Sequence, residues 1–310
     1  MIIADIDWGE DSAEKDPNLL EYFITPRSFN RLRNLSKTFV VGRKGVGKSA
    51  LRKKLIDNFN KEDNTVVVEV LPNYNSVSSI INGGQSQFEF GQEIFFQYVW
   101  LRQLMFNSLV KIGDNFRGKY ANESFEYARK LARENDLTNK DVLESVRDIA
   151  ESIKLKTDSM GELGFSLDQE LKKISEVDSF EYHISNIATH GIKIIFIVDD
   201  LDLGWNNTDI SNNLLLGLFN ATNHIKTLSH NLHTFVCIRD DVYRVLMNKT
   251  QHSDKYRDIE YVRWDEQRLK SVLEERIKYN FQQCGETVPK DLFGSVFPAN
   301  VSTSNTINWM

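Results

Sequence analysis

One stretch limits what this chain can fold into more than any other: Thr38-Phe39-Val40-Val41-Gly42-Arg43-Lys44-Gly45-Val46-Gly47-Lys48-Ser49. An apolar, β-branched run enters Gly-x-x-x-x-Gly-Lys-Ser, and Ala50-Leu51-Arg52-Lys53-Lys54-Leu55-Ile56 follows with helical spacing. Strand, glycine loop and helix form the context a phosphate-binding loop needs. Gly42, Gly45 and Gly47 free the backbone for conformations closed to other residues and let it approach a ligand. The backbone N–H groups of Gly42 to Ala50, with Arg43, Lys44 and Val46 between the glycines, would then face phosphates at a helix start. Lys48 supplies a point charge for the outer phosphates, and Ser49 a hydroxyl for Mg²⁺. The plainer alternative is a glycine-rich turn that precedes a lysine by accident. Average residue frequencies give the bare pattern in roughly one 300-residue chain in a hundred, before any context is required.

A second stretch gives the loop its counterpart. Ile192-Lys193-Ile194-Ile195-Phe196-Ile197-Val198 is an apolar strand that ends in Asp199-Asp200-Leu201-Asp202. In open α/β sheets, ligands bind outside the carboxyl ends of the strands, so these acids can face the phosphates. Asp199 is placed to hold Mg²⁺, and Asp200 to orient or deprotonate an attacking water. Asp202 reads as a helix cap or an outlying support. Alone, the Asp-Asp ending is weak, because turns favour Asp; the glycine loop makes it specific. A further strand, Thr234-Phe235-Val236-Cys237-Ile238, ends in Arg239-Asp240-Asp241. Arg239 would lie beside the outermost phosphate, or else form a surface ion pair with Asp240 or Asp241. Arg244 and Arg257 are weaker arginine-finger candidates.

Between the two anchors the pattern turns helical. Thr65 to Leu71 is a near-continuous β-branched strand, as in a parallel sheet covered on both faces. Gly83-Gly84 marks a loop, and helices are expected over 92–112, 122–135, 139–155 and 168–190. Thr138 is placed to cap the third of these, with Val142, Val146, Ile149 and Ile153 on one stripe. The span 75–190 therefore reads as an inserted helical subdomain. Upstream, Pro26 is expected in the first turn of a short helix capped by Thr25. Tyr22, Phe23 and Phe29 either pack near a nucleotide base or belong to the core. Downstream come an amphipathic helix over 209–228, a helix over 266–281 and a weakly patterned tail. The expected domains are an N-terminal segment (1–37), a core (38–262) and the start of a helical lid (263–310).

Composition narrows the partners. At 310 residues, 41% hydrophobic and 26% charged, the chain reads as an ordinary globular protein. A net charge of −6 supplies no global field towards DNA or anionic membranes. Its two cysteines, Cys237 and Cys284, lack zinc or disulfide spacing and fit a reducing cytoplasm. The stretch 94–112 is interrupted by Gln97, Arg102, Gln103 and Asn107, too polar for a lipid span. No signal peptide is read at Met1, and the six histidines are scattered.

Taken together, Gly42 to Leu51, Ile197-Val198-Asp199-Asp200-Leu201-Asp202, Ile238-Arg239-Asp240-Asp241 and Asp254-Lys255-Tyr256-Arg257 followed by Trp264 resemble bacterial P-loop ATPases of the AAA+/STAND kind. Within it the chain is most similar to a group found in signalling and phage-defence settings. The resemblance implies an α/β P-loop NTPase sandwich with a mainly parallel sheet, and ATP with Mg²⁺ as ligands. It also implies a small helical lid near Trp264 and the 269–276 helix, and assembly as a homo-oligomer or with a separate effector. The chain departs from the family in two ways. No lid arginine can be placed before Met310, and no repeat-rich sensor or effector segment is present, so the lid is abbreviated or those parts sit on another chain. The expected activity is ATP hydrolysis by a conformational switch or motor. The alternatives are a nucleotide-gated binding module with little turnover, and a small-molecule kinase. A DNA-acting loader finds no support in the charge.

Overall fold

The computed structural model describes residues 5–72, 92–116, 120–135, 146, 172, 175–202, 204–297, 300–301 and 304–305. Its centre is a five-stranded, all-parallel sheet in the order β2-β3-β4-β1-β5. The strands are β1 (Phe39–Gly42), β2 (Thr65–Val70), β3 (Lys193–Val198), β4 (Leu232–Arg239) and β5 (Ile259–Tyr261). The helices are α1 (Arg27–Arg33), α2 (Lys48–Asn60), α3 (Gln92–Asn115), α4 (Glu123–Glu134), α5 (Val177–Thr189), α6 (Asp209–Leu228), α7 (Asp240–Lys249) and α8 (Glu266–Gln283). A two-residue antiparallel pair joins Asn300–Val301 to Ser304–Asn305.

Alternation along the strands divides the core into two faces. Val40, Val67, Ile195, Ile197, Phe235 and Cys237 point to the side covered by α1 and α2, against Leu32, Leu51, Leu55 and Phe59. Val41, Val66, Val68, Phe196 and Val236 point to the other side, which α3 to α7 cover. Helices on both faces explain why the strands read as continuous apolar runs. β2 follows that rule although, among the described residues, it is an edge strand paired with β3 alone.

α3 is the helix on which the larger core is built. It is buried nearly all round, from Phe95 through Trp100 to Ile112, which is how a helix without a polar face is satisfied in water. Trp100 donates its indole N–H to the Leu214 carbonyl at 2.8 Å. α6 approaches so closely that a Cβ on Gly217 would lie 2.6 Å from the Phe96 Cβ. α4 is equally near, since a Cβ on Gly113 would meet the Ala128 carbonyl oxygen at 2.1 Å. The described helices of the 75–190 span share one core with the sheet. Among the described residues no helix is long and apolar enough to cross a membrane.

Several local expectations shift. Pro26 is the N-cap of α1 itself, extended at ψ 160°, and Thr25 does not cap it. α5 begins at Val177, because Glu176 takes a left-handed φ of 59°. β1 runs one residue later than expected, while β4 is longer at both ends. α7 and β5 are elements the pattern reading did not foresee. Gly83-Gly84, Thr138 and the stripe of the 139–155 helix, Val146 apart, lie outside the described residues.

A third small core joins the N-terminal segment to α8 and the residues after it. Ile6 packs with Ile277, Phe281, Phe293 and Phe297, with Trp8 and Leu273 at the margin. Asn280 of α8 donates to the Asp7 carbonyl at 3.0 Å and accepts the Asp7 N–H at 2.8 Å. Arg276 lies over the Tyr22 ring.

Candidate functional site

β1 and β4 are neighbours, yet α2 leaves β1 for one face while α7 leaves β4 for the other. Such a reversal opens a crevice outside the carboxyl ends of the strands. The loop 43–47 sits there. Gly42 closes β1 at a point where a Cβ would meet the Val46 side chain at 2.6 Å. Gly45 and Gly47 hold φ of 78° and 87°, values costly for any side chain. Gly47 is the N-cap of α2, without a capping side chain and without an acid in the first turn. The N–H groups that open α2 thus have neither an intrahelical nor a side-chain partner, at the positive end of the helix dipole. Arg43, Lys44 and Gly45 are exposed, and Val46 is buried against the core. Ser49 and Ala50 are half-buried on the first turn.

Lys48 folds back over the loop, donating to the carbonyls of Gly42 and Arg43, each at 3.2 Å. Trp264, which precedes α8, donates its indole N–H to the Val46 carbonyl at 2.9 Å and lies against Gly47. Loop and α8 are therefore tied at one point.

Asp199 follows β3 into the same crevice, only 3% exposed. One carboxylate oxygen accepts the Asp200 N–H at 2.9 Å. The other, Oδ2, is buried without a hydrogen-bond partner. Burial lifts the Asp199 carboxyl to about 6, against the Asp200 hydrogen bond and the charges of Arg52 and Lys48. Asp200 is half-buried and held at φ 60°, a conformation Asp tolerates better than most residues. Its carboxyl is raised by burial, with Arg52 and Lys48 opposing. Cys237 lies in the floor, its thiol pushed up by burial, which makes it a packing group and not a nucleophile.

Arg239 takes the ion-pair alternative. It bridges Asp241 and Asp202, the latter at 3.4 Å, and so joins the ends of β4 and β3. Arg244 pairs with Asp240. Tyr22 and Phe29 are buried, Tyr22 edge-on to Tyr279 of α8, so these aromatics belong to the core.

The residue missed in the sequence is Arg52, only 2% exposed. Its Nη2 donates to Glu14 at 2.7 Å. Nη1 lies 2.7 Å from Glu69, and Nε 3.4 Å from Asp199. Lys53, next along α2, donates to the Ala13 carbonyl. A signal was present: Glu69 is an acid within Thr-Val-Val-Val-Glu-Val, and a strand covered on both faces cannot hold a lone carboxylate. Among the described residues no group of three His, Cys, Asp or Glu is arranged to hold a metal ion.

No family model matches the sequence, and no solved structure matches it. Over 292 residues the chain is 23% identical to an 80.3 kDa protein of the transposon gamma-delta from Escherichia coli (strain K12). The alignment takes in 89% of this chain and 40% of that protein, so the chain spans well under half the length of its relative.

Proposed function

We propose that the crevice binds ATP with Mg²⁺ and that the chain is a P-loop ATPase working as a conformational switch. The observation that carries this reading is the buried Oδ2 of Asp199, which accepts no hydrogen bond and has Arg52 Nε beside it at 3.4 Å, together with a helix start that no side chain caps. A buried carboxylate oxygen that accepts no hydrogen bond is costly; Arg52 offsets that cost only in part, and a closer divalent cation would offset it further. The helix N-terminus and Lys48 favour anions on the other side. Cation and phosphate together fit both halves. Ser49 and Asp199 would hold the Mg²⁺, which when bound neutralises phosphate charge.

The remaining roles belong to the chain. The N–H groups from Gly42 to Ala50 orient the phosphates, and Lys48 leaves the Gly42 and Arg43 carbonyls to meet them. Asp200 orients a water and accepts its proton. Arg239 holds the end of β4 against Asp202 and reaches the outermost phosphate only by giving up that pair. The resemblance to AAA+/STAND ATPases favours ATP, a defence or signalling setting, and a partner subunit or effector.

Binding of a fluorescent ATP analogue and phosphate release are the tests. Lys48→Ala should weaken binding by at least about tenfold. Asp200→Ala should leave binding intact and reduce turnover by about a hundredfold or more. Undiminished nucleotide binding in Lys48→Ala would sink the reading. A second reading, a nucleotide-gated module with slow turnover, rests on Asp200 being shorter than a glutamate and fixed at φ 60°. Slow wild-type turnover that Asp200→Ala does not lower further would favour it.

A further inference from the structure

Lys48, Ser49 and the loop glycines leave Arg52 unaccounted for. A guanidinium this deeply buried requires pairing, and Arg52 meets three carboxylates from three parts of the chain: Glu14 of the N-terminal segment, Glu69 of β2 and Asp199 after β3. The three contacts are unequal. Only Glu14 receives a well-formed hydrogen bond. Nε and Nη1 are buried without one, as is Asp199 Oδ2. One positive charge thus faces three negative ones, and its loosest contact is with the oxygen a cation would use.

We propose that Arg52 is a positioning residue that sets the affinity of Asp199 for a divalent cation, standing beside Oδ2 until the cation arrives and then being carried by Glu14 and Glu69. The N-terminal segment would in this way register whether the site is filled. The inference rests on the nucleotide–Mg²⁺ reading above and adds to it a residue that touches no phosphate. Two like charges a few ångströms apart in a partly buried site repel strongly, so Arg52 and the cation cannot both sit on Oδ2.

The test titrates Mg²⁺ into the full chain with a fluorescent ATP analogue, comparing wild type, Arg52→Gln and Glu14→Gln, with thermal melts to verify folding. Arg52→Gln removes the competing charge and should lower the half-saturating Mg²⁺ concentration about tenfold. Glu14→Gln removes one of the groups that draws Arg52 away and should raise it roughly threefold, since Glu14 is half-exposed and screened. Hydrogen exchange over residues 5–16 should become Mg²⁺-dependent in wild type and lose that dependence in Glu14→Gln. If Arg52→Gln does not fold, Glu14→Gln decides the matter alone. Unchanged Mg²⁺ midpoints in folded variants overturn the role of Arg52 while leaving nucleotide binding in place. Failure of the wild type to bind nucleotide at any Mg²⁺ concentration overturns the underlying reading instead.

Discussion

Two imidazoles lie where water reaches them poorly. His183 stacks on Tyr127 and is within 3.0 Å of the Ser124 hydroxyl. His233 of β4 donates to the Lys37 carbonyl at 2.9 Å. Burial lowers both pKa values below the ordinary 6.5, in His233 against the pull of that hydrogen bond. The sign follows by linkage. Below about pH 6.5 the unfolded chain takes up protons that the folded chain resists, so stability is full above that pH and is lost as pH falls. Each unit of depression is worth about 1.4 kcal/mol. Urea unfolding at pH 7.5 and 5.5 should therefore show a smaller pH loss in His233→Gln than in wild type. An equal loss would mean that His233 titrates alike in both states. Single residues were unevenly legible in the sequence. The spacing of Gly42, Gly45, Gly47, Lys48 and Asp199 is local chemistry that any chain segment displays. Arg52 is not, because its burial depends on Glu14 and Glu69, 38 and 17 residues away; Glu69 within its apolar strand signals a missing cation, but no spacing says that Arg52 supplies it.

The packing of α3 against α6 sets local propensity against tertiary fit. Gly217 lies within α6, where alanine would be favoured by about 1 kcal/mol on helix propensity alone. Its missing Cβ, however, is where Phe96 Cβ and the Gln97 backbone nitrogen lie, at 2.6 and 2.8 Å. Backbone atoms cannot rotate aside, and overpacking typically costs 1–3 kcal/mol. Gly217→Ala should accordingly destabilise the protein by about 1–2 kcal/mol in urea unfolding. A stabilised variant would show that α3 and α6 can separate freely. The same contrast explains which elements could be read. α2, β2, β3 and α6 carry long periodic patterns and appear within a residue or so of their expected bounds. α7 had its own signals, Asp240 and Asp241 in the first turn and Val242 with Leu246 on one face. In the sequence those acids follow Arg239 and extend the polar end of β4, which hides the helix start. β5 is three residues long, and its middle residue Glu260 is buried only because Arg31 of α1 reaches it. No period could have revealed it.

Across the described residues, the segment that begins at Ile6 and α8 behave as one attachment to the sheet. Ile6 and Ile277 share the third core, Asp7 and Asn280 exchange hydrogen bonds, and Arg276 donates to the Trp8 carbonyl. This unit is tied to the α2 side at Glu14–Arg52, Ala13–Lys53 and Trp264–Val46. Ile277 is fully buried in a core of few residues, so Ile277→Ala should cost about 2–4 kcal/mol. Because few other contacts hold the unit, that cost should appear as local opening and not as global unfolding. Hydrogen exchange in Ile277→Ala should accelerate together over residues 5–16 and α8, with β1, β3 and β4 unchanged. Half-saturating Mg²⁺ for nucleotide binding should rise as it does in Glu14→Gln, since loosening the segment also releases Glu14 from Arg52. Acceleration confined to α8, with residues 5–16 still protected, would show that Arg52 and Lys53 anchor the N-terminal segment unaided and that the two ends are independent.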